Sequence, residues 1–339
     1  MADANGTVLV TGGTGFLGGW CVAELLKQGY DVRTTVRDRK REQAVRDAVA
    51  AAGAQDGARL SVHQADLMSD DGWADAVSGC RHVLHVASPF PPVQPKDPDE
   101  LIVPARDGAL RVLRAALDAG VERIVMTSSV AAVRGSRDST EQTPFTEADW
   151  TDGDDTKLTP YVRSKTLAER AAWQLARDRG AEDRLAAINP GAIIGPALNN
   201  DHSYSLQAVQ RLLNGDMPAA PRLGFSFVDV RDVAELHLLA MTKPEAGGER
   251  FIATDEFMWM PDLAKVLRER LGEQAAKVPK RTAPDFVIRA MSRFDPSIRS
   301  FVGDLGKRQW LSSEKARSLL GWKTRPVGDS IEETARSLL

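Results

Sequence analysis

A tyrosine, a lysine and a serine have the types and spacing that proton transfer requires. Tyr161 and Lys165 stand four residues apart, and Ser129 lies thirty-two residues before the tyrosine. Residues four apart share one face of a helix, so the phenol and the ammonium are expected to point the same way. An ammonium stabilises a phenolate, and lowering the tyrosine pKa by roughly three units takes about 4 kcal/mol. Ser129 would donate a hydrogen bond to the substrate oxygen.

A glycine-rich turn stands near the start of the chain. Residues 7–10 are an apolar run typical of a buried strand, and Gly12, Gly15 and Gly18 follow it before a helical pattern. In this context the glycines permit a tight turn, close approach of a pyrophosphate, and packing of helix on strand. The free N–H groups of the helix then bind the phosphates. A turn without a ligand would also use glycines, but the tyrosine motif downstream favours a dinucleotide site.

The end of the second predicted strand bears on the choice of dinucleotide. Arg37 and Asp38 follow residues 32–36, and Arg41 adds further positive charge. An acidic residue here would hold the ribose of NAD, whereas an arginine matches the 2′-phosphate of NADP. We favour NADP(H); Asp38 leaves NAD open, and a solvated basic loop is the alternative interpretation.

Strand and helix patterns alternate through the first half of the chain. The predicted strands are residues 7–10, 32–36, 60–63, 83–87, 123–127 and 185–189; the predicted helices are roughly 17–26, 41–52, 70–78, 101–119 and 160–179. This alternation predicts an α/β fold, a Rossmann-type doubly wound parallel sheet. Asp66, after the third strand, would contact adenine or cap the next helix. Residues 88–98, with five prolines, would form a loop at the ligand-binding edge of the sheet.

The alternation weakens after Pro190. Helices are predicted at 204–213, 230–242 and 261–271, and a strand at 250–253. We therefore predict a dinucleotide-binding domain at 1–190. Residues 191–339 would form mainly a smaller C-terminal substrate-binding lobe, with some segments returning to the first domain.

Composition and charge disfavour several classes of protein for this chain. The chain has 339 residues and a net charge of −3, so no charge excess favours nucleic acid or an anionic membrane. No apolar run is long enough to span a bilayer. The two cysteines and five histidines lack metal-ligand spacing, and Cys21 is expected in the core. The first residues lack the features of a signal peptide, so we expect a cytoplasmic protein.

The chain resembles the extended short-chain dehydrogenase/reductase family. The match is closest to the branch of dihydroflavonol reductases, cinnamoyl-CoA reductases and microbial NADPH-dependent aldehyde and ketone reductases. The matching motifs are residues 11–18, 36–38, 65–67, 85–89, 127–129, 161–165, 189–190, 227–232 and 315–322. They run through essentially the whole chain.

The resemblance implies roles for these residues. Tyr161 would protonate a carbonyl oxygen while NADPH delivers hydride, and Lys165 would bind the nicotinamide ribose. Ser129 matches the catalytic serine. The residues implied to bind the cofactor are Gly12, Thr14, Gly15, Phe16, Leu17, Gly18, Arg37, Arg41, Asp66, Leu67, Ala87, Ser88, Tyr161, Lys165 and Pro190. The resemblance also implies a monomer or homodimer.

Two features of the sequence depart from relatives in the wider family. Plant dihydroflavonol reductases carry an asparagine five residues after the catalytic serine, whereas this chain has Arg134, which disfavours a flavonoid substrate. Sugar dehydratases carry an acidic pair where Val130 and Ala131 follow Ser129, which argues against dehydration.

The sequence therefore predicts an NADPH-dependent carbonyl reductase that converts an aldehyde or ketone to an alcohol. The first alternative is an NAD-dependent nucleotide-sugar epimerase, which Arg37 disfavours. The second is a non-catalytic NADP-binding protein, although such proteins typically lose Tyr161 or Lys165, and both are present here.

Overall fold

The computed structural model describes residues 6–55, 57–89, 97–135, 138–199, 203–293 and 301–339. The strands in this part are β1 (Thr7–Val10), β2 (Asp31–Val36), β3 (Leu60–Gln64), β4 (His82–His85), β5 (Arg123–Thr127), β6 (Leu185–Pro190), β7 (Ala192–Ile194), β8 (Ala220–Pro221), β9 (Gly224–Asp229), β10 (Arg250–Ala253), β11 (Phe257–Trp259) and β12 (Thr282–Ala283). The helices are α1 (Phe16–Lys27), α2 (Glu42–Ala51), α3 (Trp73–Val77), α4 (Asp99–Asp118), α5 (Pro160–Asp178), α6 (Tyr204–Asn214), α7 (Val230–Thr242), α8 (Met260–Leu271), α9 (Asp285–Met291), α10 (Glu314–Leu320) and α11 (Val327–Leu338).

A seven-stranded parallel sheet carries the site. Its strand order is β10-β6-β5-β4-β1-β2-β3, and every pairing within it is parallel. The order reverses between β1 and β4, and ligands of such sheets bind at the carboxyl ends of the strands beside that point. The predicted Rossmann-type fold is confirmed.

Both faces of this sheet are covered, which explains why its strands read as apolar runs. Val8, Leu9 and Val10 of β1 are fully buried. Helices α1, α2 and α7 bury their apolar sides on one face, and α3, α4 and α5 do so on the other. The sheet is therefore rigid where its strand ends meet the site.

Segments after residue 190 divide between two places. A three-stranded sheet of β11, β9 and β7 packs with α6, α8 and α11 around a separate core that includes Leu212, Leu267 and Ile331. Strand β10 instead joins the first sheet beside β6, and α7 packs in the core beside α1. The domain boundary at 190 stays a prediction.

Several local predictions needed adjustment. The helix expected at 70–78 is the single short turn α3, which starts after Gly72 at φ +83°. A Cβ on Gly72 would lie 2.2 Å from the Gln64 carbonyl oxygen, so the chain crosses β3 too closely for the helix to start earlier.

The proline loop of 88–98 lies mostly outside the described residues. Across the described ranges, no helix is long and apolar enough to cross a membrane.

Candidate active site

The glycine turn leaves the start of α1 open to a ligand. Gly12 has φ +75°, and its carbonyl accepts from the Gly15 N–H at 2.9 Å. Gly15 occupies the N-cap position, and no side chain caps the helix. The first N–H groups of α1 therefore have the free donors and positive dipole end that a pyrophosphate needs. The predicted residues Thr14, Phe16 and Leu17 lie in this turn, so its geometry fits a dinucleotide.

Replacing Gly18 with alanine should open this turn. A Cβ there would lie 2.2 Å from the Gly12 carbonyl oxygen, a backbone atom that cannot move without breaking the turn. We expect Gly18→Ala to lose about 1–3 kcal/mol of stability and most of its dinucleotide affinity, measured by thermal unfolding and titration. Gly19→Ala is the matched control, since the nearest atom to its Cβ would be the end of the Leu198 side chain at 3.3 Å. Equal behaviour of the two variants would contradict the close approach.

Strands β1 and β4 are tied together beside the glycine turn. The Thr11 hydroxyl accepts from the Ala87 N–H at 2.9 Å and lies 3.0 Å from His85 Nδ1. Burial lowers the pKa of His85 to about 3, so the ring that meets this hydroxyl is neutral at pH 7. A Cβ on Gly12 would lie 3.0 Å from Ala87, which brings these two predicted cofactor residues together. Ser88 follows, half-buried.

At the end of β2 the arginine and the acid have different environments. The Asp38 carboxylate accepts from the Lys40 N–H at 2.9 Å and caps the turn of residues 39–41. Arg37 is exposed. Its carbonyl accepts from Gln64 Nε2 at 3.2 Å, while its guanidinium has no hydrogen bond within the described ranges. Asp38 is thus engaged in its own turn, whereas the Arg37 side chain is exposed.

One of the two interpretations of Asp66 is wrong. Its carboxylate accepts from the Met68 N–H at 2.9 Å and closes a turn, whereas the N-cap of α3 is Gly72. It therefore does not cap the helix, and its contact with adenine stays a prediction. Leu67 is fixed beside it, because its carbonyl accepts from Arg111 Nη1 at 2.7 Å.

The tyrosine and serine meet as expected. Tyr161 is the second residue of α5, whose start is fixed by Pro160 and by Thr159, which caps the Val162 N–H. The Tyr161 hydroxyl donates to Ser129 Oγ at 3.3 Å. Ser129 Oγ also accepts from the Ala131 N–H at 3.1 Å. Because both contacts use its lone pairs, the serine proton remains free to bond to a substrate oxygen.

The direction of the tyrosine pKa shift differs from the expectation. Burial raises the pKa of Tyr161 above its usual value near 10, opposed by the hydrogen bond to Ser129 and the charge of Arg134. Burial also lowers the pKa of Lys165 to about 8, opposed by the charge of Glu169. Desolvation of the phenol therefore outweighs the stabilisation of its anion, and the group stays a neutral proton donor at neutral pH.

Two residues of the site were not assigned a role from the sequence. Arg134 donates to Gln309 Oε1 at 2.9 Å, and its charge reaches the Tyr161 phenol. Glu169 lies one turn beyond Lys165 and is fully buried. An acidic residue four positions after the lysine, between Ala168 and Ala172 on an apolar helix face, was the signal for it.

The predicted residues converge on one edge of the sheet. Gly12, Ala87, Ser129 and Pro190 follow or end the adjacent strands β1, β4, β5 and β6. Arg37, Arg41, Asp66 and Leu67 follow β2 and β3 at the same edge. A dinucleotide lying across these strand ends would run from the arginines to the tyrosine. Across the described ranges, no group of three or more potential metal ligands is found.

Known proteins share this sequence and fold. The profile of the NAD dependent epimerase/dehydratase family matches residues 8–253. Cinnamoyl-CoA reductase CAD2 of Medicago truncatula is 34% identical over 348 residues, spanning 100% of this chain and 98% of the relative. Dihydroflavonol 4-reductase of Zea mays is 35% identical over 288 residues, spanning 83% and 78%.

A solved structure agrees over almost the full length. The yeast methylglyoxal/isovaleraldehyde reductase Gre2, solved in complex with NADPH, superposes with a TM-score of 0.80 at 26% identity, covering 98% of each chain. The chain therefore belongs to the NAD-dependent epimerase/dehydratase family, in which it is an NAD(P)-dependent reductase.

Proposed function

We propose that this protein is an NADPH-dependent carbonyl reductase that converts an aldehyde or ketone to an alcohol. The observation that carries the proposal is the Tyr161 hydroxyl at 3.3 Å from Ser129, with Lys165 one turn along the same helix. These groups lie at the sheet edge that the glycine turn opens. We propose a cytoplasmic monomer or homodimer.

Each side chain has a distinct task at the carbonyl oxygen. Bound NADPH would supply the hydride to the carbonyl carbon. Tyr161 donates its proton to the oxygen as negative charge develops there. Ser129 donates a hydrogen bond to the same oxygen and holds it in place. Lys165 stabilises the phenolate that remains, which makes the proton transfer easier.

Three observations support NADPH over NADH. The Asp38 carboxylate is occupied in its own turn, so it is poorly placed to hold a ribose hydroxyl. Arg37 is exposed at the position where an arginine accommodates a 2′-phosphate. The Gre2 structure with similar fold contains NADPH.

Arg37→Ala should weaken NADPH far more than NADH. A charge-assisted bond to a phosphate contributes about 1.5–3 kcal/mol, so the NADPH dissociation constant should rise roughly 10-fold to 100-fold. The NADH value should change little, as measured by fluorescence titration of both. Arg39→Ala removes the same charge two residues away and serves as the control. An equal loss in both variants, or for both dinucleotides, would contradict a specific contact with the phosphate.

The proposed activity is tested with a panel of aldehydes, ketones and 1,2-dicarbonyl compounds. Consumption of NADPH is followed spectroscopically, and then that of NADH. We expect NADPH-dependent turnover with at least one member and weaker turnover with NADH. No turnover across the panel, together with NAD released on denaturation, would instead favour the epimerase.

A further inference from the structure

A buried acid–arginine pair lies directly behind the reactive groups. Glu169 is fully buried and forms an ion pair with Arg250 at 2.6 Å. Its carboxylate also accepts from Ser128 Oγ at 2.5 Å, Asn189 Nδ2 at 2.8 Å and Trp173 Nε1 at 3.3 Å. Five hydrogen bonds from four side chains converge on this one carboxylate. These hydrogen bonds offset the cost of burying the charge, and they join the carboxylate to β6, to β10 and to the residue after β5.

The contacts lead from this carboxylate to the catalytic serine. Ser128 is the covalent neighbour of Ser129, and its N–H donates to the Ile188 carbonyl at 2.7 Å. Asn189 uses the same amide group to bond both Glu169, at 2.8 Å, and the Ser129 carbonyl, at 3.1 Å. The turn that presents Ser129 is therefore held from two sides by one anion.

The arginine anchors the other side of the pair. Arg250 Nη1 donates to the carbonyls of Glu147 and Asp149 at 2.8 and 2.9 Å. Its guanidinium also stacks on Trp150 at 3.5 Å from the ring centre. The carboxylate is thus fixed in place by a strand from the far end of the sheet, not by its own helix alone.

Building on the proposed reductase activity, we propose that Glu169 is a positioning residue. Through Ser128 and Asn189, its carboxylate fixes the turn that holds Ser129 against Tyr161, and its charge faces Lys165 one turn back on α5. The reaction depends on the distance between the serine and tyrosine hydroxyls, and a misplacement of about 1 Å can cost roughly 100-fold in rate.

The negative charge of Glu169 should affect the pH dependence of the reaction in a way that packing alone would not. Glu169 raises the pKa of Lys165 against burial, which lowers it to about 8. His85 on β4 also faces Lys165, but its pKa of about 3 keeps it neutral. Tyr161 has a pKa raised by burial and stays neutral as well. Removing the anion should therefore move the loss of the lysine charge to lower pH.

The test uses Glu169→Gln, which keeps the shape and removes the charge. We expect kcat to fall about tenfold or more, with KM and the NADPH dissociation constant changing less than about threefold. The alkaline limb of the pH–rate profile should move down by about one pH unit. Ser128→Ala removes one hydrogen bond to Glu169 and leaves the negative charge in place. Its kcat should therefore fall about fivefold, and the alkaline limb of its pH–rate profile should stay at the wild-type position.

Asp229→Asn is the matched control. Asp229 is a carboxylate of the same degree of burial, and it pairs with Arg231 at 2.7 Å at the start of α7. This variant should lose stability yet keep the kcat and the alkaline limb of the wild type. If Asp229→Asn also lowered kcat and shifted the alkaline limb of the pH–rate profile, the proposal would be overturned. A Glu169→Gln enzyme with the wild-type kcat and the wild-type alkaline limb would overturn it as well.

Two further measurements distinguish a failure of the positioning role of Glu169 from a failure of the proposed reductase activity. If Glu169→Gln does not fold, Ser128→Ala decides, and an unchanged kcat in that variant overturns the positioning role. If the wild type reduces no carbonyl, the proposed function fails. The crystal structure of Glu169→Gln, or of Ser128→Ala, then tests positioning alone. We expect the Tyr161–Ser129 hydroxyl distance to exceed the 3.3 Å of the wild type, and an unchanged distance would overturn it.

Discussion

In Tyr161→Phe, we expect the rate of carbonyl reduction to fall roughly 100-fold to 10,000-fold. The substitution removes the hydroxyl that donates the proton and leaves the ring in its packed position. The hydrogen bond that is lost, to Ser129 at 3.3 Å, is long, so its loss should cost little stability. The NADPH dissociation constant should change less than about twofold, because the phenol acts on the substrate oxygen. Steady-state kinetics and a fluorescence titration measure the two quantities.

Tyr30→Phe provides the matched control for this prediction. It removes the same atom from a partly buried tyrosine that packs on the core just before β2, away from α5. Its turnover should equal that of the wild type. Wild-type turnover in Tyr161→Phe would remove this tyrosine from the reaction, and a parallel loss of NADPH binding would assign it to the cofactor instead.

In Lys165→Met, we expect activity and stability to change in opposite directions. Turnover should fall by at least roughly 100-fold, since the phenolate loses the ammonium that stabilises it. The folded protein without cofactor should become more stable at pH 7. Burial lowers the pKa of Lys165 from 10.5 to about 8, so the charged form that predominates at pH 7 is less stable in the folded protein than in the unfolded chain.

The direction of the Lys165 pKa shift determines how its effect on stability depends on pH. Because the folded-state pKa is below the unfolded value, the cost of the charge is fully present below about pH 8 and is relieved as pH rises toward 10.5. The shift corresponds to an upper limit of about 3 kcal/mol, reduced by the half-buried side chain's remaining contact with water. Methionine keeps most of the apolar stem.

Thermal unfolding at pH 7 and pH 10 measures the prediction for Lys165→Met. The midpoint should rise by a few degrees at pH 7, and the difference from the wild type should shrink at pH 10. In the wild type, carbonyl reduction should fall as pH rises through about 8, where Lys165 loses its charge. A destabilised Lys165→Met protein at pH 7 would show that the ammonium has partners that outweigh its desolvation.

Local patterns in the chain were sufficient for the fold class and for placing the predicted cofactor and catalytic residues along one edge of the sheet. Apolar runs such as residues 7–10 mark strands because a parallel sheet is buried on both faces. Parallel strands joined by helices then place their carboxyl ends at one edge, so motifs far apart in sequence converge without further information. Ser129 and Tyr161 meet for this reason. Short strands such as β7 and β11 were not predicted, because three residues are too few to show an alternation of apolar and polar side chains.

The electrostatics of the site depended on the tertiary structure. The spacing of Tyr161 and Lys165 indicated a lowered tyrosine pKa, but burial by neighbouring segments raises it. Asp66 precedes a helix in sequence, yet the close crossing at Gly72 delays that helix and leaves the carboxylate in its own turn. Glu169 is an ordinary helix residue in sequence. It becomes a buried anion because Arg250, 81 residues away, returns to the edge of the first sheet on β10. Residue types and spacing are local properties, whereas desolvation and the pairing of buried charges depend on atoms that only folding brings together.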